Sequence, residues 1–354
     1  MADVSRQLQE QVLAARESGT PLNIVGGDTK AFMGRAHEGK GESVLVSAHT
    51  GIVEYQPVEL VLTARAGTPL SDIEAALAEH GQTLHFEPPQ LGVGATLGGT
   101  LACNLSGPAR PWAGSVRDQV LGIRLINGKG EHMRYGGQVM KNVAGYDVSR
   151  LQAGAMGTLG ILTEVSLKVM PQAARSLTLV ADMAMPEAVR YMNARAAEPK
   201  PITAACWLDG KVYLRLAGAA SAVDATARHW AGEVLEEGGG FWRALQHQQH
   251  EFFAGEEPLW RFSVKSSAPP AALAGRWLLD WAGAQRWYRG EGDMEHMEAL
   301  AREAGGQVSL FRGGDRSGEV LHSQPAAVKA IQQRIKQAFD PAGLFNPGRL
   351  YSWL

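Results

Sequence analysis

Chemistry in this chain is concentrated where its side chains are smallest. The stretch Pro88 to Asp118, PPQLGVGATLGGTLACNLSGPARPWAGSVRD, holds no carboxylate before Asp118 and only two basic residues, Arg110 and Arg117. Glycine lacks a Cβ, so its backbone can take positive φ and approach a ligand closely. Successive N–H groups of this kind form a concave anion site suited to phosphate. Gly94-Ala95-Thr96-Leu97-Gly98-Gly99-Thr100 would supply such amides together with two hydroxyls. A glycine-rich bend packed under another element fits the same residues. The spacers Leu91, Val93, Leu97, Leu101, Leu105, Trp112 and Val116 are apolar, which argues for an ordered segment rather than a disordered one. Asn104 and Ser106 add groups that can donate and accept, or that tie the stretch to itself.

Other reactive residue types are sparse. Cys103 and Cys206 make no disulfide framework, and Cys103 can serve as a small buried filler. His247 and His250 stand three apart, a spacing that could hold a metal, but no third ligand is identifiable and a solvated helix face is the plainer reading. Arg117 and Asp118 can pair with each other. The net charge of −2, with 20% charged residues, offers no basic field for nucleic acid. The opening MADVSRQLQEQVLAARESG lacks an apolar core for export, and no apolar run approaches the ~18 residues of a membrane span. A soluble, cytoplasmic protein is the expectation.

The elements that must position these residues can be read in order. A length of 354 residues suggests two domains. Val4, Leu8, Val12 and Ala15 fall at helical spacing, and Gly19 and Pro21 stop that helix. Leu22 to Val25 is a short strand feeding the turn Gly26-Gly27-Asp28-Thr29. Strands follow at 43–47, 52–55 and 59–65, then a helix opened by Thr68-Pro69 with Ile73, Ala76 and Leu77 inward. After the long loop come a strand at 119–126 with an Asn127-Gly128 turn, the polar cluster Lys141 to Asp147, and a strand at 163–169 with one wet face.

From Ala173 the texture changes to strands and helices with few glycine turns. A hairpin about Asp209-Gly210, a helix 221–236 capped by Ser221, helical 241–253, strands near 259–264, 276–282 and 307–312, and a helix 294–304 suggest an antiparallel sheet with helices on one face. Six tryptophans between Trp230 and Trp287 are suited to packing this core. Ala326 to Phe339 is a last amphipathic helix with Val328, Ile331, Ile335 and Phe339 on one stripe. The fold class expected is α+β.

GATLGGTLACNLSG, GSVRDQVLGIRLINGKGE and AGAMGTLGILTEVSLKVMP, with Ile24 to Thr29 upstream, resemble the FAD domain of the vanillyl-alcohol-oxidase/PCMH flavoprotein superfamily over roughly Leu22 to Pro171. With the C-terminal DPAGLFNPGRLY, the whole chain resembles the family of FAD-binding subunits of bacterial glycolate oxidase (glycolate dehydrogenase). The resemblance implies a PCMH-type FAD domain over 1–172, a cap domain over 173–325, and a return of 326–354 to the FAD domain. It implies FAD contacts from Gly26, Gly27, Asp28 and Thr29; from Gly94, Ala95, Thr96, Gly98, Gly99 and Thr100; and from Asn104, Ser106 and Arg117. Gly157, Gly160 and Ile161 would meet the adenine end, and Asn346 and Arg349 would approach the isoalloxazine. Asp28 stands where some relatives carry a histidine bonded to the flavin, so a non-covalent FAD is implied.

The same resemblance implies one member of a complex that converts glycolate to glyoxylate, beside a second FAD-containing subunit and an iron–sulfur subunit. Relatives that oxidise D-2-hydroxy acids unaided carry a GDGN-x-H-type stretch; here Gly314-Asp315-Arg316-Ser317-Gly318-Glu319 does not match it. The flavin is then expected to relay electrons. An autonomous 2-hydroxy-acid or alcohol dehydrogenase and a non-catalytic assembly subunit are the alternatives.

Overall fold

The structure, a computed structural model, describes residues 2–36, 41–137 and 146–354. The chain divides into two compact units. The first gathers Met1–Leu105, Ser115–Pro171 and Gln324–Leu354, and the second Ser106–Gly114 and Gln172–Ser323.

In the first unit the helix Ser5–Ser18 buries Leu8, Val12 and Ala15 and ends at Gly19, whose φ of 71° closes the helix in the left-handed region. Leu22–Val25 pairs in parallel with Glu42–Leu45, with Ile24 opposite Val44. A five-stranded antiparallel sheet stands beside this pair, in the order Ile52–Gln56, Val61–Arg65, Ile161–Lys168, Val120–Ile126, His132–Gly136. The third of these strands is not wet on one face as expected. It lies at the sheet centre, where Thr163 and Ser166 are buried and find hydroxyl or imidazole partners: Ser166 Oγ pairs with Thr63 Oγ1 at 2.8 Å and Thr163 Oγ1 with His132 Nε2 at 2.8 Å. Polar alternation here reports an internal hydrogen-bond row rather than solvent.

The stretch 88–118 is not one loop. Thr96 caps a helix Leu97–Cys103, and Ser115 and Asp118 form a reciprocal cap on a short helix Val116–Gln119. Asp118 accepts from both Ser115 N and Ser115 Oγ at 2.8 Å, whereas Arg117 donates to Ala153 O at 3.3 Å. The expected Arg117–Asp118 pair therefore does not form.

The helix Ala326–Phe339 brings the chain back to the first unit. Lys336 is buried and its Nζ reaches Asp340 Oδ2, Thr158 O and Phe345 O, each at 2.8 Å. Asp340 in turn accepts from Leu344 N at 3.0 Å and Phe345 N at 2.8 Å. This closed network and Phe339, packed against the core, hold the C-terminal end of the helix, whereas Val328 and Ile331 of the stripe are 37% and 54% exposed.

The second unit is built on an eight-stranded antiparallel sheet, ordered Glu233–Val234, Arg175–Asp182, Lys211–Gly218, Ile202–Leu208, Arg276–Asp280, Gln285–Arg289, Leu259–Ser263, Gln307–Arg312. All six tryptophans from Trp230 to Trp287 are buried. Helices Met185–Ala196, Ala220–His229 and Met294–Glu303 contribute Met192, Val223 and Met297 to the core against this sheet. Ser221 does not cap its helix, which begins at Ala220 and stops before Trp230, so that Glu233–Val234 can pair with the edge of the sheet. The segment Ser106–Gly114 joins this unit: Trp281 Nε1 donates to Gly107 O at 2.9 Å, and the Arg110 guanidinium lies 4.6 Å from the Trp281 ring.

Candidate functional site

Inside the first unit lies a cavity of about 320 Å³. One wall is the strand Leu22–Val25 with the turn that follows it, Gly26 to Ala31. A second is the helix Leu97–Cys103, which presents Gly98, Gly99, Ala102 and Cys103. Gln152, Met156, Gly157 and Gly160 form a third, and Asn346 and Arg349 close the end. The glycines are required by contact between these walls. A Cβ on Gly27 would stand 1.7 Å from Gly94 O, and one on Gly26 would stand 2.8 Å from Thr96 Oγ1. Gly157, at φ 74°, would place a Cβ 2.7 Å from Asn346 Nδ2.

The donors differ from those expected. The amides of 97–100 are used within the protein: Leu97 N donates to Thr68 O, Gly98 N to Ala66 O at 2.7 Å, Gly99 N to Thr96 Oγ1 and Thr100 N to Thr96 O. Gly98 is glycine because a Cβ there would meet Ala66 Cβ at 2.7 Å, a packing requirement of helix against turn. Gly27, Asp28, Thr29 and Lys30, by contrast, have backbone N–H groups that reach no acceptor among the described residues. The open row of amides is thus on the Gly-Gly turn.

Of the residues expected at the site, Gly26, Gly27, Asp28, Thr29, Thr96, Gly98, Gly99, Gly157, Gly160, Asn346 and Arg349 line the cavity. Gly94, Ala95, Thr100, Asn104, Ser106, Arg117 and Ile161 do not. Gly94 sits behind Gly27, Ala95 and Ile161 are in the core, and Arg117 is exposed and tied to Ala153. Ser106 falls in the segment that joins the second unit. Thr100 Oγ1, Asn104 Oδ1 and Ser106 Oγ are nevertheless buried without a hydrogen-bond partner. The cluster 141–145 lies outside the described residues.

Asn346 lines the cavity with its polar atoms already engaged: Oδ1 accepts from Ile24 N at 2.8 Å and Nδ2 donates to Met156 O at 2.7 Å. It stitches three walls together. Arg349 donates to Ala31 O at 2.6 Å, anchoring the far end of the Gly-Gly turn.

Lys30 and Gln152 carry no mark in the sequence as site residues, and Cys103 is marked there only as filler. Gln152 is buried, and its Nε2 has no acceptor. The Cys103 thiol is pushed above its ordinary pKa by burial, opposed by the nearby charges of Lys30 and Arg349. Lys30 is pushed down by burial. The only signal for Lys30 is its place directly after Gly-Gly-Asp-Thr. In the second unit, no cluster of three metal-ligating side chains exists among the described residues, and His250 instead caps the turn at Phe252 N.

The family described as "FAD binding domain" matches residues 2–136. The glycolate oxidase subunit GlcE of Escherichia coli is 46% identical over 352 residues, 99% of each chain. The D-lactate dehydrogenase of Archaeoglobus fulgidus is 25% identical over 403 residues, covering 95% of this chain and 87% of that protein. The fold is shared with alkyldihydroxyacetonephosphate synthase, at a TM-score of 0.67 and 14% identity over 98% of this chain and 76% of that one. The chain belongs to the GlcE family of FAD-binding glycolate oxidase subunits, within the PCMH-type flavoproteins, and its cofactor is FAD. The cavity fits that group: open amides and a buried ammonium suit the pyrophosphate, and the unsatisfied Gln152 Nε2 suits a polar edge of the cofactor.

Proposed function

We propose that this chain is the electron-relaying FAD subunit of a glycolate-oxidising complex and contains no glycolate-oxidising site of its own. The observation that carries this is the titratable lining of the cavity: among the described residues it comprises Asp28, Lys30, Cys103 and Arg349, with neither histidine nor glutamate. Converting glycolate to glyoxylate removes the hydroxyl proton and transfers the α-hydrogen, which calls for a positioned base of suitable pKa. Loss of such a base typically removes about 10²–10⁴-fold in rate. Asp28 belongs to the turn that would hold phosphate, and the cations there cannot accept a proton.

FAD supplies two-electron chemistry; the protein's part is to bind it, orient it and set the charge around it. Gly26 and Gly27 let the turn close on Gly94 and Thr96, Asn346 and Arg349 brace that turn, and Asp28 leaves the flavin held by non-covalent contacts alone. The partners are a second FAD subunit, where glycolate loses its electrons, and an iron–sulfur subunit that carries them onward at the cytoplasmic face of a membrane.

The test uses the FAD-loaded chain without oxygen. Added glycolate should leave the flavin absorbance unchanged, and the flavin should bleach once the two partner subunits are supplied. Bleaching of the isolated chain at a useful rate would establish an autonomous dehydrogenase instead.

A further inference from the structure

Lys30 is 8% exposed and lines the cavity. Its ammonium donates to two neutral acceptors, Gln90 O at 3.2 Å and Thr29 Oγ1 at 3.4 Å, both long for charged donors. No carboxylate among the described residues pairs with it. Glu74 comes nearest in connection, but it accepts from the Gln90 side chain at 2.9 Å rather than from the lysine. The other charged and titratable groups about the cavity are Cys103, a neutral thiol, and Arg349 with Asp28 near it. A buried ammonium without a counter-ion is strongly disfavoured, and an apolar side chain of similar length would pack there without that cost.

We infer that Lys30 is the pyrophosphate-holding cation of the FAD site: its ammonium and the open amides of Gly27, Asp28 and Thr29 together form one oxyanion cradle. The inference rests on the FAD reading above. Amide donors provide direction but no net charge, and a dianionic pyrophosphate leaving water needs a charge to replace part of its hydration. Both requirements meet on one turn of four residues. Lys30 is a binding residue in this account: it holds the phosphate end of the cofactor and takes no part in chemistry at the ring.

The experiment separates the parts of the cofactor. The full-length chain is stripped of flavin, and Kd is measured for FAD, for ADP (which has the pyrophosphate without the ring) and for riboflavin (which has the ring without phosphate). Lys30→Met and Lys30→Arg are compared with the parent. In Lys30→Met the Kd for FAD and ADP should rise by a common factor of about tenfold or more, equal to about 1.4 kcal/mol, with riboflavin unchanged. Lys30→Arg should recover part of the loss for both. Unchanged FAD and ADP binding in Lys30→Met would overturn the assignment. So would weakened riboflavin with unchanged ADP, which would put the charge at the ring. A parent chain that binds neither FAD nor ADP would sink the FAD reading itself, a failure distinct from both. Should Lys30→Met not fold, Lys30→Gln tests the same charge.

Discussion

Two buried lysines in the same unit show how differently a charge can be used. Lys336 has three donors and three acceptors, one of them the carboxylate of Asp340, and every lone pair it needs is inside the protein. Lys30 faces the cavity with two long bonds to neutral oxygens, and no carboxylate among the described residues is bonded to it. Burial lowers the pKa of both, but only at Lys336 does a neighbouring carboxylate oppose the shift. A charge satisfied from within holds the fold; a charge left open makes the fold wait for a ligand.

Removing each ammonium in turn tests this contrast most directly. Lys336→Met strands Asp340 in the core and should cost about 3–5 kcal/mol of unfolding free energy, measured by urea denaturation. Lys30→Met should leave the stability of the flavin-free chain within about 1 kcal/mol of the parent or raise it. Its pH dependence has a definite sign. With the folded pKa below the unfolded one, the unfolded chain binds the proton more tightly, so parent stability rises with pH through that window and the variant loses the rise. Asn346 tests whether the rule extends to neutral groups in the cavity wall. Asn346→Ala leaves Ile24 N and Met156 O without partners and should cost about 1–3 kcal/mol for each group that stays dry, together with weaker FAD retention. The smallest effect belongs to Asp3, half-exposed and satisfied by Ser5. Hydrogen bonds from the Ser5 hydroxyl and then its amide hold this carboxyl down to about 2. Its contribution is therefore present above the ordinary carboxylate range and lost as pH falls towards 2, and Asp3→Asn should flatten that acid limb of the stability curve.

How much of the molecule is legible in the sequence follows from range. The first helix, the Gly-Gly turn and the Asp209-Gly210 hairpin depend on residues within a few positions, and their patterns carry over directly. The helix Leu97–Cys103 is hidden because Gly98 and Gly99 disfavour helix, and the reason for Gly98 is Ala66, distant in sequence. The strand Gln285–Arg289 escapes prediction because none of its residues signals burial by alternation. Arg286 and Arg289 are buried through backbone carbonyls, Arg289 with Phe252, Phe253, Gly255 and Glu257, which no local pattern displays. Lysine is ordinarily an exposed residue, so Lys30 becomes a site residue only when Gln90 and Cys103 are placed around it.

The stitch from Asn346 to Ile24 has a consequence for synthesis. The ribosome delivers the Gly-Gly turn early and its brace some 320 residues later, given a separation of 322 between the bonded residues. At about 5–20 residues per second, the nascent turn stays unbraced for tens of seconds while the whole second unit emerges. The cavity is finished only after Asn346 and Arg349 clear the exit tunnel, so a flavin captured at full strength marks a chain that has been translated past Arg349.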